Sequence, residues 1–118
     1  MIELNKIYNE DCFEGIKRIP DGSIDMILTD PPYNTTAAKW DTKIDLDLMW
    51  KEFLRVAKEN AAFVITSQQP FTTDVINANR KYFRYEWIWK KAHSTGFLQA
   101  RRMPLKAHEN VLISRWQN

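Results

Sequence analysis

SIDMILTDPPY, residues 23–33, is the stretch whose reading decides the fold. Ile24, Met26, Ile27, Leu28 and Thr29 form a short apolar run of strand length, bounded on the left by the Pro20-Asp21-Gly22 turn. A run that is mostly apolar, rather than strictly alternating, is the pattern of a strand buried on both faces of a parallel sheet. It then meets an acid and two prolines. Pro31 and Pro32 have no N–H to give to a ladder or a helix, so the strand stops at Thr29. Asp30 and Pro31 each precede a proline and are held in extended geometry. Asp30 therefore stands at the C-terminal end of a buried strand, where open α/β sheets bind their ligands.

Working outward, Ile2, Leu4 and Ile7 predict a short strand. Asp11 reads as an N-cap, with Glu14 as capping-box partner, for a helix over 12–18 that buries Phe13 and Ile16. Residues 45–59 predict the clearest helix, with Leu46, Met49, Trp50, Phe53, Leu54 and Ala57 on one face. Asp45 and Asp47 suit its positive end, and Lys58 the other. AAFVITS, 61–67, predicts a second buried strand. A helix follows, with Pro70 in its first turn. Phe83, Tyr85, Trp87 and Trp89 alternate with other residues at strand period, and 108–116 predicts a closing strand. The order argues for one α/β domain over residues 1–118: a partial Rossmann-like sheet, mostly parallel, with the last strand antiparallel.

Composition narrows the setting. The chain has 118 residues, 44% hydrophobic and 13% aromatic, which suits one small globular domain. No apolar run approaches membrane-spanning length, and the polar N-terminus does not resemble a signal peptide. A single cysteine, Cys12, excludes an internal disulfide and any multi-cysteine zinc site. A cytoplasmic location is the expectation, and Cys12 is read as a buried small hydrophobe. Charge is uneven: residues 1–79 carry 8 basic and 13 acidic side chains, and residues 80–118 carry 9 and 2. The basic third is either a surface for a polyanion such as nucleic acid or a solvated face.

The Asp-Pro-Pro-Tyr turn has a chemistry of its own. It fixes a carboxylate and nearby carbonyls in place and sets the Tyr33 ring beside them. Acceptors next to a stacking ring suit an aromatic ring that bears an exocyclic amine, such as a nucleobase. That nitrogen is a weak nucleophile, because its lone pair is delocalised into the ring. Acceptors holding its hydrogens out of the ring plane favour the pyramidal nitrogen of a methyl-transfer transition state. The base must leave the duplex to reach them.

NEDCFEGIKRIPDGSIDMILTDPPYNTTAAKWD, MWKEFLRVAKENAAFVITSQQPF and WIWKKAHSTGFLQARRMPLKAHENVLIS, taken in order, carry a family resemblance. The chain resembles the DNA amino-methyltransferases, specifically phage- and prophage-type adenine-N6 enzymes of the kind found in restriction-modification. The resemblance implies S-adenosyl-L-methionine as cofactor and DNA as partner. It implies that Asp30 and Pro31 hold the target amine, Pro32 shapes the turn and Tyr33 stacks on the base. It places Asp11, with Asp30, near the cofactor. Asp at the first position of the tetrapeptide leans toward adenine, whereas Ser is commoner in cytosine-N4 enzymes. Two alternatives stay open: a cytosine-N4 half, and an inactive DNA-binding remnant.

The resemblance also implies a glycine-rich F-x-G-x-G turn at the cofactor. Gly15, Gly22 and Gly96 are the chain's three glycines, and no two are close. The expectation is a C-terminally truncated catalytic half, with the cofactor half missing. Strand 24–29 would then have a bare edge, open to a second copy or to a separate cofactor-binding chain. Asn34, Trp40, Arg101, Arg102 and Lys106 are candidate DNA contacts. Trp87 and Trp89 are read as core. Gln68 and Gln69 are read as capping or polar packing. His108 and Glu109 lack a third ligand at metal spacing, so no metal is expected.

Overall fold

The structure is a computed structural model that describes residues 2–34, 43–95 and 106–116. Its elements are α1 (Cys12–Gly15), β1 (Ile24–Thr29), α2 (Leu46–Val56), β2 (Ala57–Ser67), α3 (Phe71–Ala78), β3 (Phe83–Thr95) and β4 (Lys106–Arg115). Short 3₁₀ turns follow α1 and α3, at Ile16–Arg18 and Arg80–Tyr82. The four strands form one sheet in the order β1-β2-β4-β3. β1 and β2 are parallel, and β4 runs antiparallel to both of its neighbours. Three strands thus share one direction and the last opposes them, as the sequence predicts. No helix among the described residues is long and apolar enough to cross a membrane.

Alternation along β2 sorts the sheet into two faces. Ala61, Phe63, Ile65 and Ser67 are buried against α2 and α3. The register adds Ile27 and Thr29 of β1 and Leu112, Asn110 and Ser114 of β4 to that side. The helices deliver Met49, Trp50, Phe53, Phe71 and Val75 to it. At the centre Trp50 meets Phe63 edge-on, with ring centroids 5.4 Å apart, and Phe53 lies parallel to Phe63 at 6.3 Å. The Trp50 indole N–H donates to the Val75 carbonyl (3.3 Å), so this large ring is buried without an orphaned donor. Burying a ring such as Phe63 contributes about 2–3 kcal/mol.

Helix entrances follow the sequence reading more closely than helix exits. Asp11 caps α1 by accepting from the Phe13 N–H (2.8 Å), and Asp45 caps α2 by accepting from the Leu48 N–H (3.0 Å). Glu14 does not complete a capping box; its carboxylate pairs with Lys17 one turn on. α2 ends at Val56 and not at 59, because Ala57 is already extended and begins β2. Residues 58–60 form an irregular step between the Ile24–Ala57 and Met26–Ala62 pairs, with Asn60 at φ 67°. Asn tolerates that left-handed geometry better than most residues. Lys58 therefore sits on a strand, where it pairs with Asp25 (3.0 Å), and not at a helix end. Arg55, unnoticed in the sequence, fastens α2 to the turn before β1. Its guanidinium donates to the carbonyls of Ile16 (2.8 Å) and Ile19 (2.9 Å), satisfying the open end of that turn.

Three expectations fail for one reason: each assigned burial by residue type, without knowing which elements would arrive to cover it. Residues 2–11 form no strand; Ile7 is 96% exposed, and no described strand lies alongside to pair with it. Met26 and Leu28 of β1 are exposed, as are Trp87 and Trp89 of β3, because no helix of the described chain covers that side of the sheet. Cys12 is exposed on α1 rather than packed inside.

Candidate active site

The register Thr29–Ile65 sets Asp30 beside Thr66 at the ends of the two parallel strands. Thr66 Oγ1 donates to Asp30 Oδ1 across 2.6 Å, and the Tyr33 hydroxyl donates to the same oxygen across 3.0 Å. One carboxylate oxygen thus takes both donors. Asp30 Oδ2 accepts from none of the described residues, and Asp30 is exposed. Pro31 is buried and Pro32 half-buried, so the turn is wedged into the protein while the carboxylate faces out. Backbone stiffness and two hydroxyl donors together fix the direction of the carboxylate.

Tyr33 is anchored at both ends. Its hydroxyl is tied to Asp30, and its ring stacks on Phe71 of α3 with centroids 5.4 Å apart and planes 26° apart. Burial pushes the phenol well above its ordinary pKa; a hydrogen bond with Thr66 opposes the shift, and the Asp30 carboxylate reinforces it. The group stays a neutral donor across the physiological range. A small pocket of about 160 Å³ adjoins this pair, lined in part by Tyr33, Asn34, Ile44, Pro70 and Phe71. That is below the roughly 300–1,000 Å³ of a whole-ligand site. A wider groove of about 760 Å³ lies between α2 and α3, but Asp45, Asp47 and Asp74 line it and would repel a phosphate backbone.

A buried polar chain that the sequence reading missed begins at Ser67, next to Thr66 in sequence. Thr72 donates to Asn110 Oδ1 (2.9 Å) and lies 2.8 Å from the Ser67 hydroxyl. Thr72 has one proton, so Ser67 is the donor to it. Asn110 Nδ2 then donates to Glu86 (3.1 Å). The chain links β2, α3, β4 and β3. Gln69 Oε1 accepts from the Thr73 N–H (3.2 Å) and hydroxyl (2.8 Å), and Gln68 donates to the His108 carbonyl (3.3 Å). Both glutamines do the capping and packing expected of them. Glu109 pairs with Lys91 (3.2 Å).

The other predicted positions are scattered. Asn34 is exposed at φ 58°, next to Tyr33 and on the rim of the small pocket. Asp11 sits at the start of α1, where its carboxylate caps the Phe13 N–H. Trp40, Arg101 and Arg102 lie outside the described residues, and Lys106 opens β4 with its side chain outside them. Thr66 and Phe71 were not singled out as site residues. The signal for Thr66 was available: it ends the strand that a parallel sheet places next to Asp30.

Comparison with known proteins adds one decisive observation to this geometry. Over 97 residues, 73% of its length, the chain is 31% identical to the type II methyltransferase M.BamHI of Bacillus amyloliquefaciens. Over 49 residues it is 43% identical to M.BglII of Bacillus subtilis, and over 42 residues 38% identical to M1.MboII of Moraxella bovis. Its sequence relatives are type II DNA methyltransferases. The matches span 23%, 14% and 16% of those three proteins, so the chain accounts for less than a quarter of each. No protein-family model matches. Among solved structures, the fold is shared with a Thermus thermophilus protein assigned as a DNA modification methylase and complexed with S-adenosyl-L-methionine. There the TM-score is 0.69 at 22% identity, covering 92% of this chain and 54% of that one. It is shared also with the cytosine-N4-specific PvuII DNA methyltransferase, at TM-score 0.64 and 13% identity, covering 94% of this chain and 50% of that one. The described sheet is therefore the Rossmann-like methyltransferase sheet in part.

Proposed function

We propose that this chain is the base-holding half of an S-adenosyl-L-methionine-dependent DNA methyltransferase that acts on the N6 amine of adenine. The observation that carries the reading is the Asp30 carboxylate. Thr66 and Tyr33 hold one of its oxygens, and the other accepts from none of the described residues, at the strand end beside the Tyr33–Phe71 stack.

On this reading, adenine leaves the duplex and lies against the ring of Tyr33, which Phe71 braces from behind. The free oxygen of Asp30, with the Pro31 carbonyl, accepts the amine hydrogens and turns the nitrogen lone pair out of conjugation. Asn34 and the basic side chains Arg101, Arg102 and Lys106, with Trp40, serve the DNA strand. Pro32 keeps the turn rigid, so the acceptors need no reorganisation when charge develops on nitrogen. Asp30 at the head of the tetrapeptide favours adenine over cytosine.

The methyl donor is a different matter. S-adenosyl-L-methionine supplies an electrophilic methyl group when bound. The described residues do not by themselves fit it: Asp11 is engaged as a helix cap, and the 118 residues hold no pair of neighbouring glycines. The donor side is assigned to polypeptide that pairs with the free edge of β1, either a separate cofactor-binding chain or a second copy. No catalytic step is assigned through it.

The test supplies labelled S-adenosyl-L-methionine and DNA to the chain, alone and with a polypeptide carrying a glycine-rich donor turn. Label on adenine N6 that disappears in Asp30→Ala supports the proposal. Label on cytosine N4 redirects it, and full activity in Asp30→Ala refutes it. DNA binding without any donor-dependent label would favour the inactive remnant.

A further inference from the structure

We propose that Thr72 is a positioning residue: held by Ser67 and Asn110, it fixes the spacing between the acceptor Asp30 and the stacking ring of Tyr33, and Glu86 sets the direction of the bonds that hold it. The proposal rests on the reading of Asp30 and Tyr33 as the base-holding pair.

A closed circuit of contacts carries the inference. Thr66 holds Asp30 Oδ1 across 2.6 Å, and Ser67 is the next residue of β2. The Ser67 hydroxyl lies 2.8 Å from that of Thr72. Thr72 directly follows Phe71 in the first turn of α3. Phe71 stacks on Tyr33 with centroids 5.4 Å apart, and the Tyr33 hydroxyl returns to Asp30 Oδ1 across 3.0 Å. Acceptor and ring are thus each backed by a residue whose chain neighbour belongs to the buried Ser67–Thr72 pair.

The remaining contacts of the circuit leave that spacing loose. A ring stack tolerates sliding, and the Asp30 end is exposed to competing water. The apolar packing of Phe71 and Val75 in the core has no direction. The Ser67–Thr72 bond has one, and its partners are 0% and 2% exposed, out of reach of solvent. Thr72 is tied a second time, by its bond to Asn110 Oδ1 (2.9 Å), and Asn110 stands opposite Ser67 in the β2–β4 register. The backbone agrees: the Thr72 N–H donates to the Gln68 carbonyl (2.9 Å), and Gln68 donates to the His108 carbonyl (3.3 Å). The start of α3 is pinned to two neighbouring strands at one point.

Glu86 gives the bonds their polarity. A carboxylate only accepts, so Asn110 presents Nδ2 to it (3.1 Å) and turns Oδ1 toward Thr72. Thr72 spends its one proton there and accepts from Ser67. Every proton points the same way, from Ser67 to Glu86. Ser67, Thr72 and Asn110 are three of the four buried polar residues among the described ones, and all three meet here. An apolar trio of the same shape would stabilise the fold about as well. What a fully bonded trio adds is a single geometry. Rates are sensitive on that scale, since a misplacement of about 1 Å can cost about a hundredfold.

The test compares wild type with Thr72→Val, Thr72→Ser, Glu86→Ala and a destabilising control, Val56→Ala, at a buried position at the C-terminal end of α2. Aromatic nuclear Overhauser contacts between Tyr33 and Phe71 are read on the chain itself. They should persist in wild type, Thr72→Ser and Val56→Ala, vanish in Thr72→Val and weaken in Glu86→Ala. Glu86 is exposed, so that variant stands in if Thr72→Val fails to fold. With a donor-carrying polypeptide and DNA, kcat should fall at least about tenfold in Thr72→Val while KM for DNA is unchanged, and Thr72→Ser should recover it. Ring contacts intact in both Thr72→Val and Glu86→Ala, equally lost in Val56→Ala, or lost without any change in kcat overturn the proposal. A wild type that labels no base at all overturns the base-holding reading instead, and the ring contacts still decide whether Thr72 sets them.

Discussion

Thr66 Oγ1 lies 2.6 Å from Asp30 Oδ1 and joins the C-terminal ends of the two parallel strands. The contact is a consequence of register, since residues one beyond a paired position in parallel strands remain neighbours. It converts an exposed, freely rotating carboxylate into one with a set direction.

Thr66→Val should lower stability by about 1 kcal/mol, the ordinary net value of a hydrogen bond, because water can replace the hydroxyl at this exposed site. Thr66→Ser should restore it. Denaturant titration of the three proteins checks this. A Ser variant as weak as the Val variant would place the effect in methyl packing and not in the bond to Asp30.

Thr72→Val should be costlier. Thr72, Ser67 and Asn110 are all buried, and removing the central hydroxyl leaves a donor on Ser67 and an acceptor on Asn110 without a partner. Each stranded group costs about 1–3 kcal/mol, and a loss of about 2–6 kcal/mol follows. Thr72→Ser keeps both bonds and loses only one methyl, about 0.8 kcal/mol. Thermal melts that rank the two variants equally would contradict the network.

Alkaline pH should expose the environment of Tyr33. Burial, reinforced by the Asp30 carboxylate, raises its phenol above the unfolded value, so the folded chain holds that proton more tightly. The stability this represents is fully present below about pH 10 and is lost as pH rises beyond it. Tyr33→Phe should be less stable at neutral pH, having lost its bond to Asp30, and should fall less steeply above about pH 10. Parallel slopes for the two proteins would refute the assignment.

Cys12 offers a chemical check on α1. Its side chain is exposed as a whole but lines a groove with Tyr8, Glu10 and Ile16. Partial burial, followed by the Asp11 charge, raises the thiol pKa. Iodoacetamide should therefore modify Cys12 more slowly at about pH 8 than it modifies a free cysteine, and the gap should close on unfolding. Equal rates in the folded chain would remove the groove from the account.

The sequence by itself determined whatever depends on near neighbours in the chain. Asp11 and Asp45 cap helices because a short acceptor beside a free N–H needs nothing from afar. Leu46 through Val56 coil because their apolar spacing is helical, and Pro31 and Pro32 end β1 wherever β1 lies. The antiparallel closing pair was legible too, since the sequence between the two strands carries no clear helical pattern. Tertiary structure alone decided burial and partnership across the sheet. Met26, Leu28, Trp87 and Trp89 have the composition of core residues, but burial depends on what packs above them, and periodicity carries no information about that. Arg55 reaches Ile16 and Ile19, Thr72 reaches Asn110, and Thr66 reaches Asp30 only after the chain has folded back by some 36 residues or more. A side chain's own chemistry states what it can bond; the register of strands it is not part of states what it does bond.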